Sequence, residues 1–299
     1  MRQGLGYGVA AYLIWGLFPL YWPLLEPAGS VEMLAHRVVW SLLALGVLVP
    51  VLRRGRHFTA LLRDRRRRRY LALAAVVISV NWGMYIYGVT HERVVEAALG
   101  YYINPLVTVL MGVVVFRERL RPLQWAALAL AAAAVAVLTL EYGRLPWVAL
   151  TLAFSFGTYG LAKKKADAGA VESLAVETML VAPFATAYLV WLALAGQITF
   201  GNTGLGHGLL FVTAGLVTAV PLLCFGAAAT RLPMVGIGLL QYLTPSIQFV
   251  LGVFLLGEEM PAARWAGFGL VWAALAVFTW ESLHHRRRQL RLAAEAAAV

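Results

Sequence analysis

The chain has little charge and almost no cysteine, and both shortages limit what it can be. Only 13% of its 299 residues are charged, 61% are hydrophobic, and the mean hydropathy is +0.76. A soluble domain of this size needs a polar surface, so this composition predicts an integral membrane protein. Cys224 is the single cysteine, which excludes an intramolecular disulfide and a thiolate metal cluster.

Motifs of several catalytic classes are also missing. The sequence contains no GxxxxGK[ST] loop, and none of its six histidines has HExxH spacing. We therefore expect no metal, no cofactor and no enzymatic activity. The net charge of +11 comes from arginines and lysines at the ends of apolar segments, which is a topology signal, so no nucleic-acid partner is expected.

Ten apolar segments are each long enough to cross a bilayer, because a helical span needs about 20 residues. The expected fold is an all-α integral membrane protein with ten transmembrane helices. Its expected partners are the lipid bilayer and a small-molecule solute, and a homodimer is left open. The segments are 4–24, 32–52, 70–89, 94–116, 122–141, 145–163, 172–195, 207–229, 234–256 and 262–282.

An internal repeat divides the chain. Residues 99–141 align with residues 239–281 at a shift of 140 without a gap, which brings Tyr102 over Tyr242. The predicted repeats are 4–141 and 145–282, with five segments each, followed by a basic tail at 283–299. Because five is odd, the second repeat would enter the bilayer inverted, which is the design of many secondary transporters.

Loop charges predict the orientation. If the amino terminus is cytoplasmic, nearly all lysines and arginines fall on the cytoplasmic side, including the run Arg65–Arg69. The opposite side then carries only Arg93, Arg144 and Arg264, and Arg37 lies inside a span. The positive-inside rule therefore places both termini and the basic tail in the cytoplasm.

Two polar stripes of equal spacing lie in the fourth and ninth segments, at positions related by the shift. They are Tyr101, Asn104 and Thr108 in one segment, and Gln241, Thr244 and Gln248 in the other. Pro105 and Pro245 are expected to kink these helices, and each frees the carbonyl four residues earlier. We expect a cavity between the stripes near the midplane. The alternative is a lipid-adapted kink whose polar groups bond neighbouring helices.

The predicted solute path runs along segments 1, 3, 4, 6, 8 and 9. Aromatic rings beside amide side chains suit a solute that has both a flat or apolar body and polar groups. The predicted substrate-binding residues are Tyr12, Trp15, Asn81, Tyr85, Tyr101, Asn104, Thr108, Tyr159, Gln241, Tyr242, Thr244 and Gln248.

Arg37 and Glu177 occupy equivalent positions inside two spans. We predict a gating or structural ion pair between Arg37 and Glu96, or between Arg37 and Glu32, and a second one between Glu177 and Arg231. The alternative for Arg37 is that it binds an anionic group of the substrate. No carboxylate is expected at mid-membrane, which favours exchange, facilitated movement or coupling through a less buried group over proton-driven antiport by a buried acid.

Several motifs, in order along residues 4–283, resemble the RarD-type branch of the EamA transporters in the drug/metabolite transporter superfamily. They are Ala11–Pro19, His36–Ser41, Asn81–Tyr85, Leu99–Leu106 and Glu118–Leu120. The resemblance implies a bacterial inner-membrane permease with ten helices, two inverted repeats and a central cavity. Small members of the superfamily carry a glutamate in their first helix, whereas this chain has Tyr12 and Trp15 in that region, so their proton antiport does not carry over.

These observations together predict a secondary transporter that moves a small organic metabolite or drug-like solute by alternating access. The alternative is a membrane sensor or scaffold that transports nothing, which would lack a solute-sized cavity between the repeats.

Overall fold

The computed structural model describes residues 2–117, 119–229, 231–232, 237 and 239–297, and the regular elements in these ranges are all helical. Seven helices are long and apolar enough to cross a membrane, or up to eight if the bent pair α1–α2 counts as one span. This confirms the predicted all-α membrane fold. The helices are α1 Arg2–Gly16, α2 Phe18–Tyr21, α3 Ser30–Val51, α4 Gly55–Arg63, α5 Arg65–Thr90, α6 Val94–Phe116, α7 Pro122–Tyr142, α8 Trp147–Ala166, α9 Ala170–Leu194, α10 Leu205–Ala229, α11 Leu243–Val250 and α12 Ala262–Ala297.

The first predicted span is not one continuous helix. α1 ends at Gly16, and the chain bends by 42° before α2 and a 3-10 turn at Trp22–Leu25. Pro19 explains the break, because its ring cannot donate the helical hydrogen bond to the Trp15 carbonyl. The prediction of one unbroken helix over 4–24 is therefore wrong.

The ninth predicted span, 234–256, is described only in part. Residues 233–236 and 238 lie outside the described residues, as does Glu118. α11 begins at Leu243 and continues as a π-helical turn at Leu251–Leu255. The last predicted span also differs in length, since α12 continues past 282 to Ala297.

The arginine-rich connection between α3 and α5 contains a short amphipathic helix, α4, which the sequence pattern did not predict. Its Leu61 is buried against Leu71, Ala166 and Val176. Asp64 then begins α5, because its Oδ1 accepts the backbone N–H groups of the first helical turn at 2.9 and 3.0 Å. These hydrogen bonds hold the pKa of Asp64 below its ordinary value. We call the end of the bundle that carries Arg65–Arg69 the basic end, and the opposite end the far end.

Helix packing follows the 140-residue shift, which relates α1 to α8, α3 to α9, α5 to α10, α6 to α11 and α7 to α12. The packing of α5 on α8 corresponds to that of α10 on α1, and α6 on α8 corresponds to α11 on α1. Likewise α3 packs on α10 and α5 on α9, while α3–α9, α6–α11 and α7–α12 pair equivalent helices. The main contacts are thus those expected of two similar units that face each other.

α7 and α12 are joined by an ion pair at each end. Arg264 Nε lies 2.8 Å from Glu141 Oε2 at the far end. At the basic end Arg121 Nη2 donates to Glu281 Oε2 at 2.8 Å. Glu141 and Glu281 are equivalent under the shift, so each helix contributes one acid and one arginine to this double clamp.

Two glycines allow close crossings at equivalent places. A Cβ on Gly8 of α1 would lie 2.6 Å from the Leu240 side chain, and one on Gly100 of α6 would lie 2.7 Å from the Ala149 carbonyl oxygen of α8. Gly8 therefore lies at a close contact between helical segments. Gly6, in contrast, has open space around it, since a Cβ added there would meet nothing within 4 Å.

The far end of the bundle is tightly closed. An apolar cluster of side chains from seven helical segments fills it, and its members are at most 6% exposed. Its core consists of Phe18, Trp22, Leu25, Ala28, Met33, Tyr85, Ile86, Val89, Val94, Ala97, Val148, Leu152 and Phe211.

Candidate solute site

A buried amide joins α5, α6 and α8. Asn81 is 1% exposed, and its Nδ2 donates to the Leu152 carbonyl and to Ser155 Oγ, both at 3.0 Å. The Tyr101 hydroxyl donates to Asn81 Oδ1 at 3.3 Å. Polar side chains of three helices therefore meet at one residue, as buried polar groups require.

A second amide, Gln248 on α11, reaches across to the other repeat. Its Nε2 donates to the Trp15 carbonyl at 3.2 Å and to the Tyr85 hydroxyl at 2.9 Å. The Trp15 carbonyl is the one that Pro19 leaves without a helical donor. Gln248 is 1% exposed, and its Oε1 is buried without a hydrogen-bond partner among the described residues.

Pro105 and Pro245, the prolines of the two stripes, affect their helices differently from Pro19 in α2. α6 runs continuously through Pro105, and Pro245 lies in the first turn of α11, where a missing N–H costs nothing. Among the described residues, the carbonyl that a proline frees and a side chain then binds is therefore that of Trp15. The carbonyls of Tyr101 and Gln241, four residues before Pro105 and Pro245, are not bound in this way by any described side chain.

Two equivalent carbonyls are bound by side chains. Thr244 Oγ1 donates to the Tyr12 carbonyl at 2.8 Å, and Tyr12 corresponds under the shift to Leu152, which Asn81 binds. Aromatic rings lie around these bonds, with Tyr12 and Trp15 at 5.4 Å between centroids. We call Tyr12, Trp15, Asn81, Tyr85, Tyr101, Ser155, Thr244 and Gln248 the central cluster.

The remaining predicted site residues lie apart from these bonds. Asn104 Oδ1 is buried without a partner among the described residues, and Thr108 is exposed. Gln241 sits at the turn before α11, where its N–H donates to the Ile237 carbonyl. Tyr242 lines an open, mostly apolar groove of roughly 500 Å³ with Tyr102, Ser246, Phe249, Val250, Trp272 and Leu275. Solute binding by the predicted residues stays a prediction.

The predicted ion pair between Arg37 and Glu96 is wrong. Arg37 is 4% exposed, and its Cζ lies 4.0 Å from the ring centre of Trp82, 5.3 Å from Trp22 and 5.7 Å from Phe18. Aromatic faces surround the guanidinium where a carboxylate was expected.

Glu96 forms an ion pair with a different arginine, Arg144. Arg144 Nη2 lies 2.9 Å from Glu96 Oε2, and the Val148 N–H donates to Glu96 Oε1 at 3.0 Å. Arg144 reaches this acid from the loop while 37% of its side chain stays exposed, so it keeps much of its hydration. The hydrogen bond to Glu96 raises the pKa of the Arg144 guanidinium, which keeps the pair charged.

The alternative contact of Arg37 with Glu32 does not form either. Glu32 Oε1 accepts the Thr199 N–H at 2.8 Å and the Thr199 hydroxyl at 3.0 Å. The acid therefore holds the connection between α9 and α10 against the start of α3. Backbone donors of a neighbouring loop satisfy it without an arginine.

Glu177 has partners other than Arg231. It is 1% exposed, and it accepts from Lys163 Nζ at 2.8 Å and from the Tyr159 hydroxyl at 3.2 Å. Arg231 lies instead over the Tyr7 ring, with its Cζ 5.6 Å from the centroid. The prediction of a Glu177–Arg231 pair is wrong, because Lys163 projects from the adjacent α8 and is closer.

Sequence reasoning missed Lys163 and Trp82 as partners of the two buried charges. Lys163 had a usable signal, since it lies one turn from Tyr159 on the same face of α8. Trp82 had none, because nothing in its spacing relates it to Arg37. Within the described ranges, no group of three His, Cys, Asp or Glu side chains could hold a metal ion.

These features define a class: a multi-pass helical membrane protein with a buried polar centre between two similar units. Residues 2–140 match the EamA-like transporter family. The chain is 55% identical to "Protein RarD" of Streptomyces exfoliatus over 99% of this chain and 94% of that one. It is 42% identical to an "Uncharacterized transporter" of Pseudomonas aeruginosa over 96% of this chain and 97% of the relative.

A solved crystal structure shares the fold. It covers 92% of this chain and 96% of its own, with a TM-score of 0.59 at 19% identity. On the family match and the 55% identity to "Protein RarD", the chain belongs to the EamA-like transporter family and to its RarD-type branch.

Proposed function

We propose that this membrane transporter is a secondary transporter, which moves a small organic solute by alternating access between two inverted repeats of five helices. The observation that carries the proposal is the central cluster, where Asn81 of one repeat and Gln248 of the other are both buried in an apolar bundle. Polar side chains are costly to bury in an apolar bundle, so their presence there favours a path or a binding site.

Ten spans are part of the proposal. α8 has 20 residues and thus measures about 30 Å, enough for a bilayer core, although its last turn carries three lysines. It packs against α5 and α6, which are both long apolar helices. With α8 and the predicted span 234–256 counted, each repeat has five spans, and the matched helix pairings support their equivalence.

The orientation follows from charge. Arginines and lysines concentrate at the basic end, so this end faces the cytoplasm, with both termini on that side. The location in this proposal is the bacterial inner membrane.

The conformation indicates the side of access. The far end is closed by the apolar cluster around Trp22 and Phe211, both 0% exposed. Thr108, on the face of α6 that carries Tyr101 and Asn104, is exposed nearer the basic end. The structure thus fits a state in which the solute exchanges with the cytoplasm.

Reconstituted flux tests the proposal. Purified protein in liposomes should carry at least one solute from a panel of amino acids, nucleosides and amphipathic drugs, with saturable kinetics. Gln248→Leu removes two hydrogen bonds of the central cluster, so we expect flux to fall by about tenfold or more, since each such bond contributes about 1 kcal/mol. Ser246→Ala is the matched control, because this serine bonds Tyr102 at 2.8 Å on another face of α11.

Two outcomes would contradict the proposal. Equal losses in the two variants would mean that the central cluster has no special role in flux. Binding of a solute without any flux would favour the alternative, a membrane sensor or scaffold.

A further inference from the structure

Arg37 is a buried cation that the described part of the chain does not neutralise. Its side chain is enclosed by α2, the following 3-10 turn and α5, and the residue is 4% exposed. Among the described residues it forms no ion pair with a carboxylate, and its Nε is buried there without an acceptor. A buried charge without a counter-charge is strongly unfavourable, so such a residue needs an explanation.

The surrounding rings satisfy only part of this cation. Aromatic faces attract the positive charge of a guanidinium. The five N–H groups of arginine, however, lie in its plane and need oxygen acceptors, for which the matching partner is a carboxylate or phosphate bound by two parallel hydrogen bonds. Trp82, at 4.0 Å, therefore orients the side chain and leaves its donors unused.

Other buried donors nearby also lack acceptors. Trp22 Nε1 and Ser41 Oγ have no partner within the described residues. The Trp22 ring lies 5.3 Å from Arg37 Cζ, and Ser41 follows Arg37 by one turn on the same face of α3. The Tyr85 hydroxyl accepts from Gln248 but donates to no described residue. Unused donors thus lie on residues next to Arg37, and several donors close together favour the binding of an anion.

The buried acids are not spare partners. Glu32, Glu96, Glu172, Glu177 and Glu281 each accept hydrogen bonds from other residues. Glu177, which is equivalent to Arg37 under the shift, is neutralised by Lys163 at 2.8 Å. One of the two equivalent buried charges is therefore neutralised by an ion pair, and the other has no counter-charge among the described residues.

We propose that Arg37 binds the carboxylate of the transported solute, so the substrate is a small organic acid with an apolar or aromatic body. This inference rests on the proposed function, because it names the substrate class of the same path. The carboxylate occupies the donor edge of Arg37, and the body of the solute lies toward Tyr85 and Tyr101, whose ring centres are 5.8 Å apart. The unpartnered Oε1 of Gln248, whose Nε2 bonds the Tyr85 hydroxyl, accepts any N–H group of the solute.

Thermal unfolding of the purified full chain with matched ligands tests this assignment. The probes are benzoate, phenylacetate and indole-3-acetate, each paired with its uncharged carboxamide, and inorganic phosphate as a simple anion. We expect at least one carboxylate to raise the melting temperature of the wild type while its amide and phosphate do not. Arg37→Gln should raise the half-maximal ligand concentration tenfold or more.

Two further variants keep the test interpretable. Arg37→Lys preserves the charge but not the two-pronged donor geometry, so it should fold as the wild type does and still bind the carboxylate several-fold more weakly. Arg264→Gln removes an arginine outside the site and should leave the ligand response unchanged.

The outcomes separate the inference from the function on which it rests. Equal stabilisation by amide and carboxylate, by phosphate, or by no probe would overturn the carboxylate assignment, and so would an unchanged response in both Arg37 variants. Carboxylate binding that depends on Arg37 but gives no flux in liposomes would support the assignment and contradict transport.

Discussion

The pair of Glu177 and Lys163 should be worth several kcal/mol, and a double-mutant cycle can measure it. The two charges lie 2.8 Å apart, and Glu177 is 1% exposed. At an effective dielectric constant of about 20, their attraction is about 6 kcal/mol. Lys163→Met leaves the acid buried and unpaired, a change that costs roughly 3–5 kcal/mol in proteins. We expect about 3 kcal/mol, the lower end of this range, because the Lys163 side chain keeps 20% of its surface exposed and water therefore screens the pair.

The assay is the free energy of unfolding from SDS titration of the purified protein. Glu177→Met should also destabilise, whereas the double variant Lys163→Met/Glu177→Met should come within about 1 kcal/mol of wild type, because two apolar groups replace the pair. Arg56→Met, at an exposed residue of α4, is the control. A loss below about 1 kcal/mol in Lys163→Met, or strictly additive losses in the double variant, would refute this account of the pair.

Three other changes test the packing and the helix ends by the same unfolding assay. Gly100→Ala places a Cβ 2.7 Å from a backbone oxygen of α8 and should cost about 1–3 kcal/mol, whereas Gly6→Ala, with open space around it, should cost nothing. Arg264→Gln should cost about 1 kcal/mol, because the pair with Glu141 is only partly buried, and a larger loss would mean that the clamp is stronger than its exposure implies. Glu258→Ala removes the carboxylate that accepts the Val95 N–H at 3.1 Å at the start of α6, so about 1–2 kcal/mol should be lost. A neutral result there would show that water replaces this cap.

Sequence periodicity could point to the buried polar residues, because the face of a helix on which a residue lies depends only on its spacing along the chain. Tyr101, Thr244 and Gln248 were found from helical faces and from the 140-residue shift, and Asn81 as an amide beside aromatic residues; the structure brings them near one another. Their partners could not be predicted in the same way. The carbonyls of Tyr12, Trp15 and Leu152 carry no sequence signal, since any residue supplies one and only the crossing of the helices selects it.

The ion pairs could not be predicted from the depth of each residue in its span alone. Arg37 and Glu96 lie in the same half of the bundle, but Arg144 reaches Glu96 from a loop at a lower desolvation cost. The kinks expected at Pro105 and Pro245 stay a prediction. The first helix breaks before Pro19, while α6 continues through Pro105, so the missing N–H permits a bend that packing then decides.

The double clamp of α7 and α12 limits how the two halves can move. Two helices tied at both ends can neither slide along each other nor separate without breaking an ion pair at one surface. They can still turn slightly about their common line of contact. Any rocking of one repeat against the other would therefore use this pair as its pivot, and the displacement would grow with distance from it, toward α3, which carries Arg37.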